Sequence, residues 1–140
     1  MIRIKTSWKA LLILAAAAIL GSVPATAQEN VAAGKRDYEA NCASCHGKDG
    51  RGHGDALNVI PVNPPDLTRI AKNNGGVFPA SKVADFIDGR VGVPSHSRFD
   101  MQFWGAEFQQ PGKEFTPESE AKAKARIENI VSYLKTIQTH

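Results

Sequence analysis

The chain has 140 residues, enough for one domain, and 17 basic against 14 acidic residues leave a net charge of only +3. Three of the basic residues, Arg3, Lys5 and Lys9, sit in the first nine positions; without them the count is 14 against 14, which removes any charge argument for nucleic acid or an anionic membrane as partner. Its two cysteines lie three positions apart, so a single stapling disulfide is a poor reading, since the shortest loops gain least from closure.

Residues 1–27 read as an export signal. Arg3, Lys5 and Lys9 make a basic start, Ala10 to Leu20 is an apolar run of eleven residues, and Ala25, Thr26 and Ala27 supply the small side chains that a signal peptidase accepts. A bilayer span needs about 20 apolar residues, and the alternative, a buried N-terminal helix, would show a polar face that this run lacks. The expected mature domain, 28–140, is therefore soluble and periplasmic, with no membrane span.

Residues Val31 to Cys42 form the first predicted helix, with Gly34, Tyr38 and the cysteines at helical spacing and Lys35, Arg36 and Asp37 facing water. It ends in "CASCH", Cys42 to His46. A catalytic dithiol of this spacing normally follows a strand in a βαβ pattern, and none is visible. A zinc site would draw on Cys42, Cys45, His46 and His53, with ligands on successive residues straining a tetrahedron. Cys-x-x-Cys-His is the attachment signature of haem c. Residues three apart at a helix end share one face, so Cys42 and Cys45 each reach one vinyl group of a haem edge, and His46 follows as proximal iron ligand.

Gly47, Gly50, Gly52 and Gly54 then predict a turn-rich loop, and Ile60 to Thr68, "IPVNPPDLT", an extended and stiff segment. A carbonyl near Asn63 to Pro65 is the expected acceptor for the second ring nitrogen of His46. "SKVADFIDGR" predicts a middle helix with Ser81 as N-cap, Val83, Phe86 and Ile87 as its apolar face walling the haem edge, and Gly89 as its stop.

Met1 leaves with the signal, so Met101, 55 residues beyond His46, is the one thioether of the mature chain and the candidate sixth ligand. It lies in the polar-flanked, non-helical stretch "SHSRFDMQFWG", where a gap-filling core role is less natural. His96 is the rival and would make a bis-histidine site, while His53 and His140 read as solvent-facing. Glu107 to Thr116 reads as a loop anchored by Phe108 and Phe115. The last helix is announced by Thr116 as N-cap, Pro117 at its first position, and Glu118 and Glu120 in its first turn. Ile127, Ile130, Val131, Leu134 and Ile137 make its core stripe, expected with Tyr133 to cross the first helix at Gly34. Three to four helices without strand alternation give an all-α domain whose modest core would include the porphyrin.

Together "CASCHG", "GRGHGD", "PPDLT", "FIDGR", the methionine loop and "VSYL" resemble the class I c-type cytochromes, small monohaem electron carriers, over essentially the whole mature chain. The resemblance implies one covalent haem c, attachment at Cys42 and Cys45, ligation by His46 and Met101, and crossing N- and C-terminal helices. A family motif Met-Pro-x-Trp-Gly is met by "MQFWG", with Gln102 in place of proline. By the same resemblance Trp104 lines the haem crevice and its indole N–H reaches a propionate, the plainer reading being a core tryptophan. Arg90 and Arg98 are further propionate candidates, or simply solvated.

The expected function is one-electron carriage between respiratory donor and acceptor proteins, with no catalysis by the chain itself. Two alternatives stand beside it: a cytochrome subunit of a stable dehydrogenase or oxidase complex, and a haem protein with a labile sixth site, for which Gln102 is the sequence argument. The chain is expected to be a monomer or a subunit of a redox complex.

Overall fold

The structure is a computed structural model and describes residues 25–90, 101–109 and 115–139. Its helices in chain order are α1 (Ala25–Asn41), α2 (Ala43–His46), α3 (Ile70–Asn73), α4 (Ala80–Asp88), α5 (Trp104–Glu107) and α6 (Pro117–Thr136), with 3₁₀ turns at Asp55–Asn58 and Leu67–Arg69 and no strand among the described residues. The all-α expectation holds: α1, α4 and α6 form the frame, and the other three are single turns. The signal up to residue 24, and His96, Arg98 and His140, lie outside the described residues.

The frame is the crossing of α1 and α6. At Gly34 a Cβ would land inside the main-chain carbonyl of Asn129, so the backbones touch where only glycine fits. Around that point Tyr38 and Ile130 are fully buried, flanked by Ile127, Val131 and Leu134, and the rings of Tyr38 and Tyr133 meet at 5.2 Å. Asp37, expected in water, is half-buried and accepts from Arg126 Nη2 at 2.6 Å. The guanidinium of Arg126 lies 3.8 Å from the centre of the Phe108 ring, so its stem and charge cover apolar surface as well as pairing.

α6 starts as its sequence predicts. Thr116 Oγ1 accepts from the Ser119 N–H at 3.1 Å, Ser119 Oγ accepts from the Thr116 N–H at 3.0 Å, and Pro117 opens the helix. Four expectations need correction. The helix that carries the anchor already includes Ala25, ahead of the expected start near Val31. Pro79, not Ser81, holds the N-cap position of α4, as its fixed φ suits a helix entry. Trp104–Glu107 is a helical turn inside a stretch expected to lack one. Phe115 is 73% exposed and anchors nothing, whereas Phe108 is buried.

Candidate functional site

The Cys-x-x-Cys-His segment continues α1 through a tight junction. The Cys42 N–H donates to the Tyr38 carbonyl at 2.8 Å, and the His46 N–H donates to the Cys42 carbonyl at 2.9 Å, so the five residues wind as helix. Cys42 is buried, and Cys45 and His46 are half-buried. Gly47 ends the turn, and its carbonyl accepts from the Tyr38 hydroxyl at 2.7 Å, tying the anchor to the α1–α6 core. The glycine loop then folds back on it: the Gly52 N–H donates to the His46 carbonyl at 2.8 Å, and the Gly54 N–H to the Cys45 carbonyl at 3.0 Å. Gly52 has a left-handed φ of 81° and faces the Pro64 carbonyl, so a side chain there would be both strained and obstructed. His53 is exposed.

Two cavities meet at the anchor. One, of about 380 Å³, is apolar, walled by Leu67, Ile70, Val83, Phe86 and Ile87 and floored by Ile130 and Leu134 of α6. The other, of about 800 Å³, runs between Cys45, the proline segment from Pro61 to Pro65, Gln102 and Trp104. Cys42, His46, Pro65 and Met101 line both. The fold therefore brings a buried thiol, an imidazole and a thioether, far apart in sequence in the last case, to one cleft within the usual size range of cofactor sites. Asn63, Pro64 and Pro65 line the cavity that His46 lines, and Nδ1 of His46 is buried. Trp104 is half-buried and packs on Phe108 with ring centres 5.3 Å apart, so it serves both the cleft wall and the packing of α5.

The chemistry of these groups separates the readings. Cys42 and Cys45 are not bridged. Burial, with lesser contributions from Asp37 and Cys45, pushes the Cys42 thiol up to about 12. Among the described residues no three His, Cys, Asp or Glu side chains are placed to share a metal ion. A flat apolar ring system fits the apolar walls of the cleft, whose lining includes Cys42, His46 and Met101.

Arg90 departs from its expected role. Its Nε and Nη2 donate to the two Asp88 carboxylate oxygens at 2.7 and 2.6 Å, and its Nη1 and Nη2 donate to those of Glu120 at 2.6 and 2.9 Å. The guanidinium is taken by two carboxylates and is not held out toward the cleft. Gln109, buried, donates its amide to the same Glu120. Sequence reading missed Asp88, Gln109 and Glu120. Only Asp88, two residues from Arg90, carried a local signal.

With this geometry, the match of residues 31–138 to the Cytochrome c family has a structural counterpart, and the chain belongs to that family, whose members bind haem and carry electrons. The all-helical fold and the Cys-x-x-Cys-His anchor agree with its class I c-type pattern. No curated protein and no solved structure matches the chain.

Proposed function

We propose that the chain holds one haem c, joined through Cys42 and Cys45 and ligated by His46 and Met101, and works as a periplasmic one-electron carrier between donor and acceptor proteins. The observation that carries this reading is that Cys42, His46 and Met101 line one cleft with apolar walls. Bound haem c supplies a ferric/ferrous couple, and a thioether ligand favours its reduced form. The protein's part is mechanical and electrostatic. Cys42 and Cys45 would hold the haem, each thiol adding its S–H across a vinyl double bond, so that no leaving group would be needed. The bonds from Gly52 and Tyr38 fix the turn that carries the imidazole, and Val83, Ile87, Ile130 and Leu134 exclude water from one face. His46 and Met101 would both be donated to the iron, which would leave no open position there for a substrate and would favour carriage over catalysis.

Partner choice follows from local surface and not net charge. Val59 and Ile60 are 83% and 45% exposed and lead directly into Pro61 and Val62, which line the larger cavity. An apolar rim of this kind favours a small, transient contact with redox proteins at the cleft mouth. No described helix is long and apolar enough to cross a membrane.

The test is the visible spectrum of the ferric holoprotein. A weak far-red sulfur-to-iron charge-transfer band, lost in Met101→Ala, is expected. A low-spin spectrum without that band would move ligation to His96, and a high-spin spectrum would replace carriage by ligand binding.

A further inference from the structure

Met101 packs half-buried against the edge of the core, and the segment that carries it there is short. α5 begins three residues later, at Trp104, and is itself a single turn, too short to be stable alone. Its C-terminal end is held by Phe108, buried in the core against Trp104 and Arg126, and its outer side by the cluster around Arg90. Gly105, in α5, is packed so closely beneath that cluster that a Cβ would lie 2.5 Å from both Arg90 Nε and Asp88 Oδ1. On the other side of α5, Gln109 reaches Glu120, the carboxylate that Arg90 also grips. Gly89, the residue before Arg90, abuts the Phe103 ring, two residues from Met101. Three elements thus converge: the end of α4 through Asp88 to Arg90, α5 with its flanks Phe103 and Gln109, and the first turns of α6 through Glu120.

We infer that Arg90 is a positioning residue for Met101: by forking onto Asp88 and Glu120 it clamps α5 between α4 and α6 and thereby holds the methionine at the cleft. The inference rests on the reading of Met101 as iron ligand. Isolated surface ion pairs contribute little, but two bidentate carboxylate forks on one guanidinium, over a glycine that leaves no slack, are the geometry in which such pairs count. The clamp acts on the equilibrium between a Met101 that is seated and one that is displaced. A competing iron ligand measures that equilibrium, because its apparent affinity scales with the displaced fraction.

The experiment is imidazole titration of the ferric holoprotein, followed at the far-red band, for the wild type, Arg90→Met, Arg90→Lys and Val131→Ala. Arg90→Met is expected to bind imidazole about fivefold or more tightly than the wild type, with Arg90→Lys between, since lysine keeps the charge and loses the fork. Val131 is buried and lines neither cavity. Val131→Ala should lower the denaturation midpoint while leaving imidazole affinity within about twofold. Unchanged affinity in Arg90→Met, or an equal rise in Val131→Ala, overturns the inference alone. A wild-type protein without the band overturns the Met101 reading and this inference with it.

Discussion

The two sides of the cleft are held by different physics. The His46 side is mounted on the α1–α6 crossing, where Gly34 meets a backbone carbonyl, Tyr38 and Ile130 are fully buried, and main-chain bonds close the anchor. The Met101 side is carried by a single helical turn whose end is seated by buried Phe108 and whose outer side is tied by a half-exposed guanidinium between two carboxylates. Apolar burial and backbone bonding make a rigid mount. Ion pairs near water make one that opens at lower cost. If the proposed clamp holds, His46 is placed by the core while Met101 also depends on ion pairs near water, so Met101 can loosen without the α1–α6 crossing coming apart.

The largest effect should come from breaking the crossing. Gly34→Ala pushes a methyl group into the Asn129 carbonyl, forces α1 and α6 apart, and is expected to cost about 3 kcal/mol in urea unfolding. A loss under about 0.5 kcal/mol would mean that the helices slide past each other freely and that the mount is not rigid. Next is Tyr38→Phe, which leaves the ring in place but takes the hydroxyl from the Gly47 carbonyl. About 1–3 kcal/mol is expected for an acceptor left unsatisfied, with faster amide exchange at Gly50 and Gly52 marking the anchor as the place of loss. Uniform exchange across the chain would show that the bond serves the core and not the anchor.

The smallest effect belongs to the clamp and is set by pH. Hydrogen bonds from Arg90 are the leading cause that holds both the Asp88 and the Glu120 carboxyls below their usual range in the folded chain. A carboxyl depressed on folding stabilises the protein above its unfolded value, about 4, and that contribution is lost as pH falls further. The urea midpoint should therefore drop between about pH 5 and pH 3, and drop less in Arg90→Met. An identical acid response in the two proteins would separate the clamp from acid sensitivity.

The legibility of the molecule follows the same division. Thr116, Pro117 and the stripe from Ile127 to Leu134 were readable because capping and helical periodicity are local. The anchor was readable because five adjacent residues carry its chemistry. Gly34 was found as a small residue on a face that had to meet α6. The clamp was not legible: Arg90 and Glu120 are 30 residues apart, Asp37 and Arg126 are 89 apart, and charged residues obey no period that announces a distant partner. For this reason neither the Arg90 pairing with Asp88 and Glu120 nor that of Asp37 with Arg126 announces itself in the sequence. Ser81 misled because serine caps helices well, while a neighbouring proline already set the entry of α4. Phe115 misled because an aromatic side chain in a loop invites burial that its surroundings do not supply.

The loop between Gly47 and Gly54 has a bearing on speed. The carbonyls of Cys45, His46, Gly47 and Gly50 each already accept a hydrogen bond, from Gly54, Gly52, Tyr38 and Leu67 in turn. Dipoles so committed have little freedom to swing when the charge beside them changes. A charge arriving next to His46 meets surroundings already set, and the less that must rearrange, the lower the barrier to its arrival and departure.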